Sequence, residues 1–577
     1  MNRMVIIDVG STTTKALLFE ESDVWRLKSR GESPTTVEFP DENIMIGILR
    51  SLQIAADRSG IVEWFERTPD WPKEMQNFLI TSSAGGGLQM AVCGNIRSIT
   101  AMSAERAALG GGAILLDVFA ADDGRNRFQR LERLRDIRPD MILLAGGVEG
   151  AEAIDFMIEL CDFIRTAQPK AKYGYKYALP IIYAGASSLA PMVRDLLGDR
   201  FALRIVPNLR PTFDTENLNP TRQAINSLFV QHVMAHAPGY EQLAALITDE
   251  VIPTPTAVGS IISLYAKKQK KNVLCCDIGG ATTDIFSVTG GIYRRSVSAN
   301  NGMSYSLGHV IAKVGLSKLL SWLPFTMNED ELLGLFGNKM LYPTTIPATP
   351  EALFAEHAAA REALNMSYAD HIVSVTDTSL GVVRSGLPSY VKDLSMENFD
   401  IIIGSGGVLS NAPLRGQAAA IIIDAFQPIG RTELLVDAVF MLPHLGALAE
   451  QSPENAISIL ERDGLVSLGT VLAPKGQVAE GFVGLVVQGR TSDGREIFLE
   501  ARGGQLLCIP LTIDQVAEIN ISVHNNAIWQ GDRNIQVKGG ACGLILDLRG
   551  RPLEPKWGNG KYDPAWLSQL CQGESII

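Results

Sequence analysis

The sequence predicts an α/β protein built from two similar halves and followed by a β-rich C-terminal module. Three observations carry this prediction. Strand and helix patterns alternate through most of the chain, one short motif occurs twice, and the periodicity changes after residue 465. Alternating strands and helices favour helical layers over a largely parallel sheet. We therefore expect three domains, which cover residues 1–250, 251–464 and 465–577.

Composition and charge limit the class of protein. The 577 residues are 46% hydrophobic and 20% charged, which is typical of folded proteins. The net charge of -12 disfavours binding to nucleic acid, whose phosphates require a basic surface. The apolar runs are far shorter than the roughly 20 residues that span a bilayer. The seven cysteines include no CxxC pair, so we expect a cytoplasmic protein with no membrane segment and no disulfide framework.

The first half opens on an apolar segment, and strand and helix patterns follow in alternation. MVIIDVG is typical of a buried strand and leads into a second strand pattern, STTTKALLFE. Between residues 75 and 197 the patterns alternate between strand and helix, with glycine-rich turns between them. Asn219 and Pro220 then predict the start of a helix, because Asn caps and Pro begins helices. This half therefore contains an inserted α/β segment.

The second half repeats this opening. A helix pattern, PTPTAVGSIISLYA, precedes NVLCCDIGGATTDIFSV, which is typical of two strands joined by a tight turn. DIIIGSGG, at residues 400–407, predicts a strand that leads into a glycine loop. After residue 465, short β segments separated by Gly, Asp or Asn predict an all-β C-terminal module.

The repeated motif is an apolar strand that ends in Asp, a turn rich in Gly, Ser and Thr, and a second strand. Its copies run from Asp8 to Lys15 and from Asp277 to Asp284. Glycine lets backbone N–H groups approach an anion closely, and hydroxyl groups add further donors. Lys15 adds a positive charge, and two aspartates suit Mg²⁺, which binds carboxylates beside phosphate oxygens. Two such hairpins facing each other would bind nucleotide phosphates from both sides.

The sequence therefore predicts a site that combines two carboxylates with the residues of both turns. The expected metal ligands and catalytic carboxylates are Asp8 and Asp277. The expected phosphate-binding residues are Gly10, Ser11, Thr12, Thr13, Thr14 and Lys15 in the first copy, and Gly279, Gly280, Ala281, Thr282, Thr283 and Asp284 in the second.

These motifs, together with the glycine loop, resemble the phosphate-1, phosphate-2 and adenosine motifs of the actin/Hsp70/sugar-kinase superfamily. In that superfamily, two RNase H-like domains close on Mg-ATP. The resemblance implies an actin-like ATPase fold around a nucleotide cleft, with ATP or ADP and Mg²⁺ as ligands. It also implies that four residues lie against the adenosine, namely Gly404, Ser405, Gly406 and Gly407.

A closer resemblance is to the glutamate mutase L family. This family is often abbreviated MutL but is unrelated to the mismatch-repair protein of that abbreviation. The resemblance covers about residues 4 to 450 and is carried by ITSSAGGGLQMAV, TAMSAERAALGGGA, RPDMILLAGGVEG, PTPTAV and DIGGATTDIFSV. The resemblance implies a chaperone-like, ATP-binding accessory or reactivating protein for an adenosylcobalamin-dependent mutase. Such a protein uses nucleotide-driven domain movement to exchange a damaged cobalamin on its enzyme.

The resemblance to actin also bears on hydrolysis. In actin, a glutamine of the connecting helix orients the attacking water, and Gly259 stands at that place in this sequence. Hydrolysis requires a positioned water as well as neutralised phosphates, so we expect at most a slow Mg-dependent ATPase. Two alternatives stay open at this point. One is a filament-forming or scaffolding actin homologue that self-associates, and the other is a small-molecule kinase, which needs a base beside an acceptor pocket.

Overall fold

The computed structural model describes most of the chain, and the seven cysteines in it are free thiols. The described residues are 2–10, 12–37, 41–60, 78–83, 88–111, 113–150, 154–170, 178–229, 238–245, 251–298, 300–304, 306–375, 394–553 and 562–572. The chain divides into two compact units, Met1–Ala257 with Arg295–Val297 and Val373–Gly386, and Val258–Arg294 with Ser298–Ile372 and Leu387–Ile577. Within the described residues, no helix has both the length and the apolar character needed to span a membrane.

The first unit contains ten strands and seven helices among its described residues. In chain order they are β1 (Arg3–Val9), β2 (Thr13–Glu21), β3 (Trp25–Pro34), α1 (Ile44–Ser59), β4 (Phe78–Ser82), β5 (Leu88–Gly94), a π-helical turn (Arg97–Ala101), α2 (Met102–Gly110), β6 (Ala113–Ala120), α3 (Arg127–Ile137), β7 (Met141–Ala145), α4 (Ile154–Ala167), β8 (Pro180–Tyr183), a 3-10 turn (Ser187–Leu189), α5 (Ala190–Leu197), β9 (Ala202–Ile205), α6 (Asn219–Leu228), α7 (Tyr240–Ala244) and β10 (Ile252–Pro253).

The first sheet of this unit begins with the predicted two-strand opening. Its strand order is β10-β4-β1-β2-β3, with β1 antiparallel to β2 and parallel to β4. The helix α1 starts where the side chain of Asn43 accepts a hydrogen bond from the N–H of Met45. It packs Ile48 and Leu52 into the same apolar core as Val5 of β1. The carboxyl ends of the parallel strands β1 and β4 therefore lie side by side, and α1 packs against the same sheet.

A second sheet occupies the sequence between β4 and β10. Its order is β6-β5-β7-β8-β9, and all neighbouring strands are parallel. Helices α2 to α6 follow its five strands in turn, which gives a doubly wound arrangement with the order 2-1-3-4-5. Leu134, Phe163 and Val193 of three helices share one apolar core with this sheet. These strands and helices lie within residues 1–250, and the predicted bounds of that domain stay a prediction.

The helix α8 leads from the first unit into the second. The described elements from there onward are α8 (Thr254–Gln269), β11 (Val273–Ile278), β12 (Thr283–Thr289), β13 (Ile292–Ser298), α9 (Leu307–Val314), α10 (Leu316–Ser321), α11 (Glu329–Leu341), α12 (Pro350–Val375), a 3-10 turn (Met396–Asn398), β14 (Ile401–Ser405), α13 (Gly407–Ser410), α14 (Arg415–Phe426), β15 (Gly430–Asp437), α15 (Leu442–Gln451), α16 (Pro453–Ile459), a π-helical turn (Leu460–Gly464), β16 (Leu465–Ala473), β17 (Val483–Thr491), β18 (Glu496–Arg502), β19 (Leu506–Ile509), β20 (Val516–Val523), β21 (Asn534–Lys538), β22 (Leu544–Asp547) and α17 (Pro564–Leu570).

The main sheet of the second unit repeats the first sheet and then extends it. Its order is β13-β12-β11-β14-β15-β16-β22-β19, with β11 antiparallel to β12 and parallel to β14. Its first five strands and the five strands of the first sheet both follow the order 3-2-1-4-5, with an antiparallel second strand. This is the strand order of an RNase H-like domain. The predicted α/β fold with two similar halves is confirmed.

The C-terminal region is divided between two sheets. Residues 465–473 form β16, which is antiparallel to β15, and β22 and β19 extend the same sheet. The remaining strands form a separate antiparallel sheet with the order β18-β17-β20-β21. The predicted C-terminal β module is therefore present. The predicted boundary at residue 465 differs from the sheet arrangement, because β16 continues the preceding sheet through its hydrogen bonds to β15.

A buried ionic network fastens the end of this region. The Arg549 guanidinium lies 2.8 Å from both Asp424 Oδ1 and Asp547 Oδ2. Arg361 binds Asp424 at 2.8 Å, and Arg551 binds Asp547 at 2.7 Å. Burial alone would raise the pKa of Asp547, but the guanidinium groups of Arg549 and Arg551 outweigh burial and hold that pKa well below its usual value. The pairing with Arg549 and Arg551 therefore favours the ionised form of Asp547.

Candidate nucleotide-binding site

The first predicted motif forms a tight hairpin turn in the first unit. Asp8 pairs with Lys15 across the two strands, and the N–H of Gly10 donates to the Thr13 carbonyl oxygen at 3.0 Å. A Cβ on Gly10 would lie 2.7 Å from that oxygen, so the turn requires glycine at this position. Because side chains alternate along a strand, Asp8 and Lys15 share one face of the hairpin, and Thr14 lies on the other.

The second predicted motif has the same geometry in the second unit. Asp277 pairs with Asp284, and the N–H of Gly279 donates to the Thr282 carbonyl oxygen at 2.9 Å. The two hairpins thus share the same strand pairing and the same turn hydrogen bond, while Asp284 stands where the first hairpin has a lysine. The repeat seen in the sequence is therefore a repeat of local structure.

One threonine of each hairpin faces the protein interior. Thr14 is fully buried, with its Oγ1 3.0 Å from Thr35 Oγ1. Thr283 is also fully buried, and its hydroxyl donates to the Asn301 carbonyl oxygen at 2.7 Å. These two hydroxyl groups hold the hairpins to neighbouring chain segments. Their expected contact with phosphate stays a prediction, as does that of the other turn residues, and Ser11 lies outside the described residues.

The carboxylate of Asp8 is fixed by two hydroxyl groups that sequence reasoning missed. Asp8 is 1% exposed, and its Oδ1 accepts from Thr81 Oγ1 at 2.8 Å and from Thr254 Oγ1 at 2.7 Å. Thr81 is at the end of β4, which pairs with β1, and Thr254 begins α8. The sequence shows a hydroxyl residue near the boundary of each of these two elements. It gives no sign that either residue contacts Asp8.

A following segment supports the turn of the second hairpin. The N–H of Met303 donates to the Gly279 carbonyl oxygen at 2.9 Å. The N–H of Ser304 donates to the Gly280 carbonyl oxygen at 2.8 Å. A Cβ on Gly302 would lie 2.3 Å from backbone atoms of the turn, so only glycine permits this close approach. Two hydroxyl groups add to these backbone contacts, since Ser304 Oγ donates to the Gly280 carbonyl oxygen at 3.0 Å and Ser306 Oγ to the Ala281 carbonyl oxygen at 2.6 Å.

The predicted adenosine loop lies directly beside the second hairpin. In the parallel pair β11–β14, Ser405 is the partner of Asp277. Gly406 has a φ of 102°, and a Cβ there would lie 2.2 Å from the Ile278 carbonyl oxygen. A Cβ on Gly407 would meet no atom within 4 Å. The loop thus packs its backbone against β11 at one glycine and leaves open space at the next.

Asp437 joins this loop to the next helix. Its Oδ2 accepts from Ser405 Oγ at 3.2 Å, and its carboxylate accepts from the N–H groups of Met441 and Leu442 at 2.8 to 3.0 Å. Its backbone oxygen accepts from Ser410 Oγ at 2.6 Å. Burial raises the pKa of Asp437, and the N–H donors partly oppose this rise. Asp437 therefore links the glycine loop to the start of α15 through hydrogen bonds.

The glycine pair provides a test of this packing. Gly406→Ala should lower the free energy of unfolding by about 1–3 kcal/mol, because the new methyl group meets the Ile278 carbonyl at an unfavourable backbone conformation. Gly407→Ala is the matched control and should change the free energy by less than about 1 kcal/mol. Urea titration of both variants measures the difference. Equal losses in the two would contradict the described packing.

Gly259, which stands where actin has its water-orienting glutamine, packs closely against a tyrosine side chain. A Cβ on Gly259 would lie 2.2 Å from the phenolic oxygen of Tyr293. Any larger side chain at this position therefore requires Tyr293 to move. The expectation of slow hydrolysis stays a prediction.

Together, these residues fit a magnesium nucleotide. Each unit provides an aspartate near a strand end beside a glycine turn, and Mg²⁺ is commonly bound by one or two carboxylates together with water. Lys15 lies across from Asp8 in the first unit, and Ser405, which precedes the open position at Gly407 by two residues, is the strand partner of Asp277 in the second. The meeting of both hairpins around one nucleotide stays a prediction.

Two RNase H-like sheets, each opening on the same Asp-headed hairpin, define a protein of the actin-like ATPase fold. The family described as MutL protein matches residues 4–464, and the chain belongs to that family. The chain is 28% identical to Protein MutL of Clostridium tetanomorphum over 496 residues, which cover 80% of this chain and 99% of the relative. The family resemblance predicted from the sequence is confirmed.

The chain is also similar to solved structures at low identity. A glycerol dehydratase reactivase is 9% identical with a TM-score of 0.30, over 78% of this chain and 100% of that chain. A diol dehydratase-reactivating factor in nucleotide-free form is 11% identical with a TM-score of 0.31, over 79% and 100%. The activator of 2-hydroxyisocaproyl-CoA dehydratase from Clostridium difficile, with bound ADPNP, is 9% identical with a TM-score of 0.25, over 80% and 98%.

Proposed function

We propose that this protein is an ATP-binding accessory protein that reactivates an adenosylcobalamin-dependent mutase. The observation that carries the proposal is the pair of hairpins with matching geometry, one in each unit, with the glycine loop beside the second. A nucleotide needs donors for its phosphates, carboxylates for its metal and a surface for its adenosine. The residues of the two units supply all three, and membership of the MutL family supports the class of partner.

Each group has a defined part in this proposal. Asp8 and Asp277 would hold Mg²⁺, and the metal would neutralise phosphate charge when it is bound. Lys15 and the backbone N–H groups of both turns bind the phosphates. The glycine loop at residues 404–407 contacts the adenosine. Gly259 provides no group that orients water, so hydrolysis is slow and ATP acts in this proposal mainly by binding.

Nucleotide binding acts on the partner through a shift between two arrangements of the protein. A nucleotide that contacts both units in one arrangement of the protein binds that arrangement more tightly. The shift in population is set by the difference between its affinities for the two arrangements. ATP carries a γ-phosphate that ADP lacks, and it therefore favours that arrangement more strongly. A mutase that binds only one arrangement is engaged with one nucleotide and released with the other.

A reactivation assay tests this proposal. A mutase captured with the native protein is loaded with hydroxocobalamin, which leaves it inactive, and is then mixed with this protein, Mg-ATP and adenosylcobalamin. We expect release of hydroxocobalamin, followed by visible absorbance, and recovery of mutase turnover. The matched control is the variant with Asp8→Ala and Asp277→Ala, which should restore neither. Nucleotide binding without any release of cobalamin would overturn the reactivating role, and growth of light scattering with Mg-ATP alone would favour a filament-forming protein.

A further inference from the structure

The hydroxyl groups beside the two aspartates of the repeated motif bind different carboxylates. Asp8 and Asp277 occupy the same place in their hairpins, and each has a hydroxyl residue as its partner on the adjacent parallel strand, Thr81 and Ser405 respectively. Thr81 donates to the Asp8 carboxylate, whereas Ser405 donates to Asp437. The equivalent hydroxyl groups therefore bind different carboxylates, and the Thr81 hydroxyl binds the motif aspartate itself.

A second hydroxyl group joins Thr81 from another element. Ile252 of β10 pairs with Thr81 of β4, so the chain returns to the first sheet beside the end of β4. Two residues later, Thr254 begins α8 and donates to the same oxygen, Oδ1 of Asp8. Thr81 is fully buried and Thr254 is 7% exposed. Two donors from two elements thus converge on one oxygen of a carboxylate that is itself 1% exposed.

This arrangement has two physical consequences. Two hydroxyl donors compensate for the burial of a negative charge that would otherwise be costly. Because both donors bind Oδ1, they also fix the rotation of the carboxylate, while its other oxygen, Oδ2, is engaged by neither of these hydroxyl groups. A ligand whose geometry is demanding, such as octahedral Mg²⁺ with its bound waters, gains affinity from an oxygen that is already oriented.

We propose that Thr81 and Thr254 are positioning residues for Mg²⁺ at Asp8, and that Thr254 makes the start of α8 dependent on that carboxylate. The helix begins in the first unit and continues into the second from Val258 onward. If Thr254 raises the affinity of Asp8 for the metal, bound metal favours the Thr254 contact by the same factor, because coupling between two interactions is reciprocal. The proposal rests on the proposed nucleotide-binding function and deepens it.

Binding of nucleotide with and without metal tests the positioning role. Calorimetry on Thr81→Val and Thr254→Val should show Mg-ATP affinity reduced about tenfold in each, because each removes one hydrogen bond to a charged group. The affinity for ATP in the presence of EDTA should be unchanged, since the threonines act only through Asp8 and its metal. Thr254→Ser retains the hydroxyl group and should restore Mg-ATP affinity. The matched control is Thr221→Val, which changes another fully buried threonine of the same unit, on α6.

A double substitution separates this inference from the proposed function. In an Asp8→Asn background, Thr254→Val should cause little further loss of Mg-ATP affinity, because the carboxylate that it positions is gone. Thermal unfolding confirms that each variant is folded before its affinity is compared. If wild-type protein fails to bind Mg-ATP, the proposed function fails. If wild-type protein binds and Asp8→Asn weakens binding, but both threonine variants bind Mg-ATP as wild type does, the positioning role alone is overturned. Equal losses with Mg-ATP and with metal-free ATP overturn it as well.

Discussion

Loss of Mg-ATP binding is the expected result of replacing both motif aspartates, Asp8→Ala with Asp277→Ala. Each substitution removes a carboxylate from the metal site, and interactions with charged groups contribute about 1.5–3 kcal/mol each. We therefore expect a combined loss of about 100-fold or more in affinity, measured by calorimetry. The local reason is that each aspartate lies one residue before the end of its strand, next to a glycine turn.

The control for this experiment retains the change in charge. Asp136 and Asp214 are exposed residues of the first unit that are remote in sequence from both hairpins. Their joint replacement by alanine changes the net charge by the same amount. This variant should bind Mg-ATP as wild type does. If both pairs of substitutions leave the affinity unchanged, the nucleotide is bound elsewhere and the assignment of the two hairpins is wrong.

The largest expected effect on stability is at Asp547. Asp547→Asn should lower the free energy of unfolding by about 3–5 kcal/mol, because it removes the charge that balances two buried guanidinium groups. Urea titration measures the loss. Asp162→Asn is the matched control, since Asp162 forms an exposed pair with Arg127, and such pairs contribute at most about 1 kcal/mol. A similar loss in the two variants would contradict the importance of the buried network.

The same network predicts a dependence on pH. The pKa of Asp547 is lower in the folded protein than in the unfolded chain, so its contribution is complete above the unfolded pKa of about 3.9. It is lost as the pH falls from there toward the folded pKa. The difference in stability between wild type and Asp547→Asn should therefore be constant near neutral pH and should narrow below pH of about 4. A difference that stays constant into acid would show that the ionised carboxylate is not the stabilising species.

Local features of the fold could be predicted from the sequence because their causes are local. An apolar run that ends in Asp and a glycine turn determines each hairpin, and the structure shows the same backbone hydrogen bond in both. The alternation of strands and helices in the inserted segment follows from periodicity in the same way. The order of its strands does not, since this depends on which crossover connections are made, and periodicity alone does not specify them.

The contacts that fix Asp8 could not be predicted for a related reason. Thr81 is 73 residues away in the sequence, and Thr254 is 246 residues away, so no spacing pattern connects them with Asp8. They approach Asp8 only because the first sheet places β4 beside β1 and β10 beside β4, and Thr254 directly follows β10. The place of β16 in the preceding sheet was missed similarly, because alternation of side chains identifies a strand but not its neighbours.

The doubly wound domain enters and leaves the first sheet on adjacent strands, and this has an evolutionary consequence. The chain departs after Ser82 of β4 and returns at Ile252 of β10, and these strands pair directly. Neighbouring strands lie about 4.8 Å apart, so the gap that the insertion has to bridge is no wider than that of a short loop. Closure of a longer excursion at such a point adds little entropic cost, because that cost grows only with the logarithm of length. An ancestral chain could therefore acquire, enlarge or exchange a whole domain here while the hairpin beside it kept its shape.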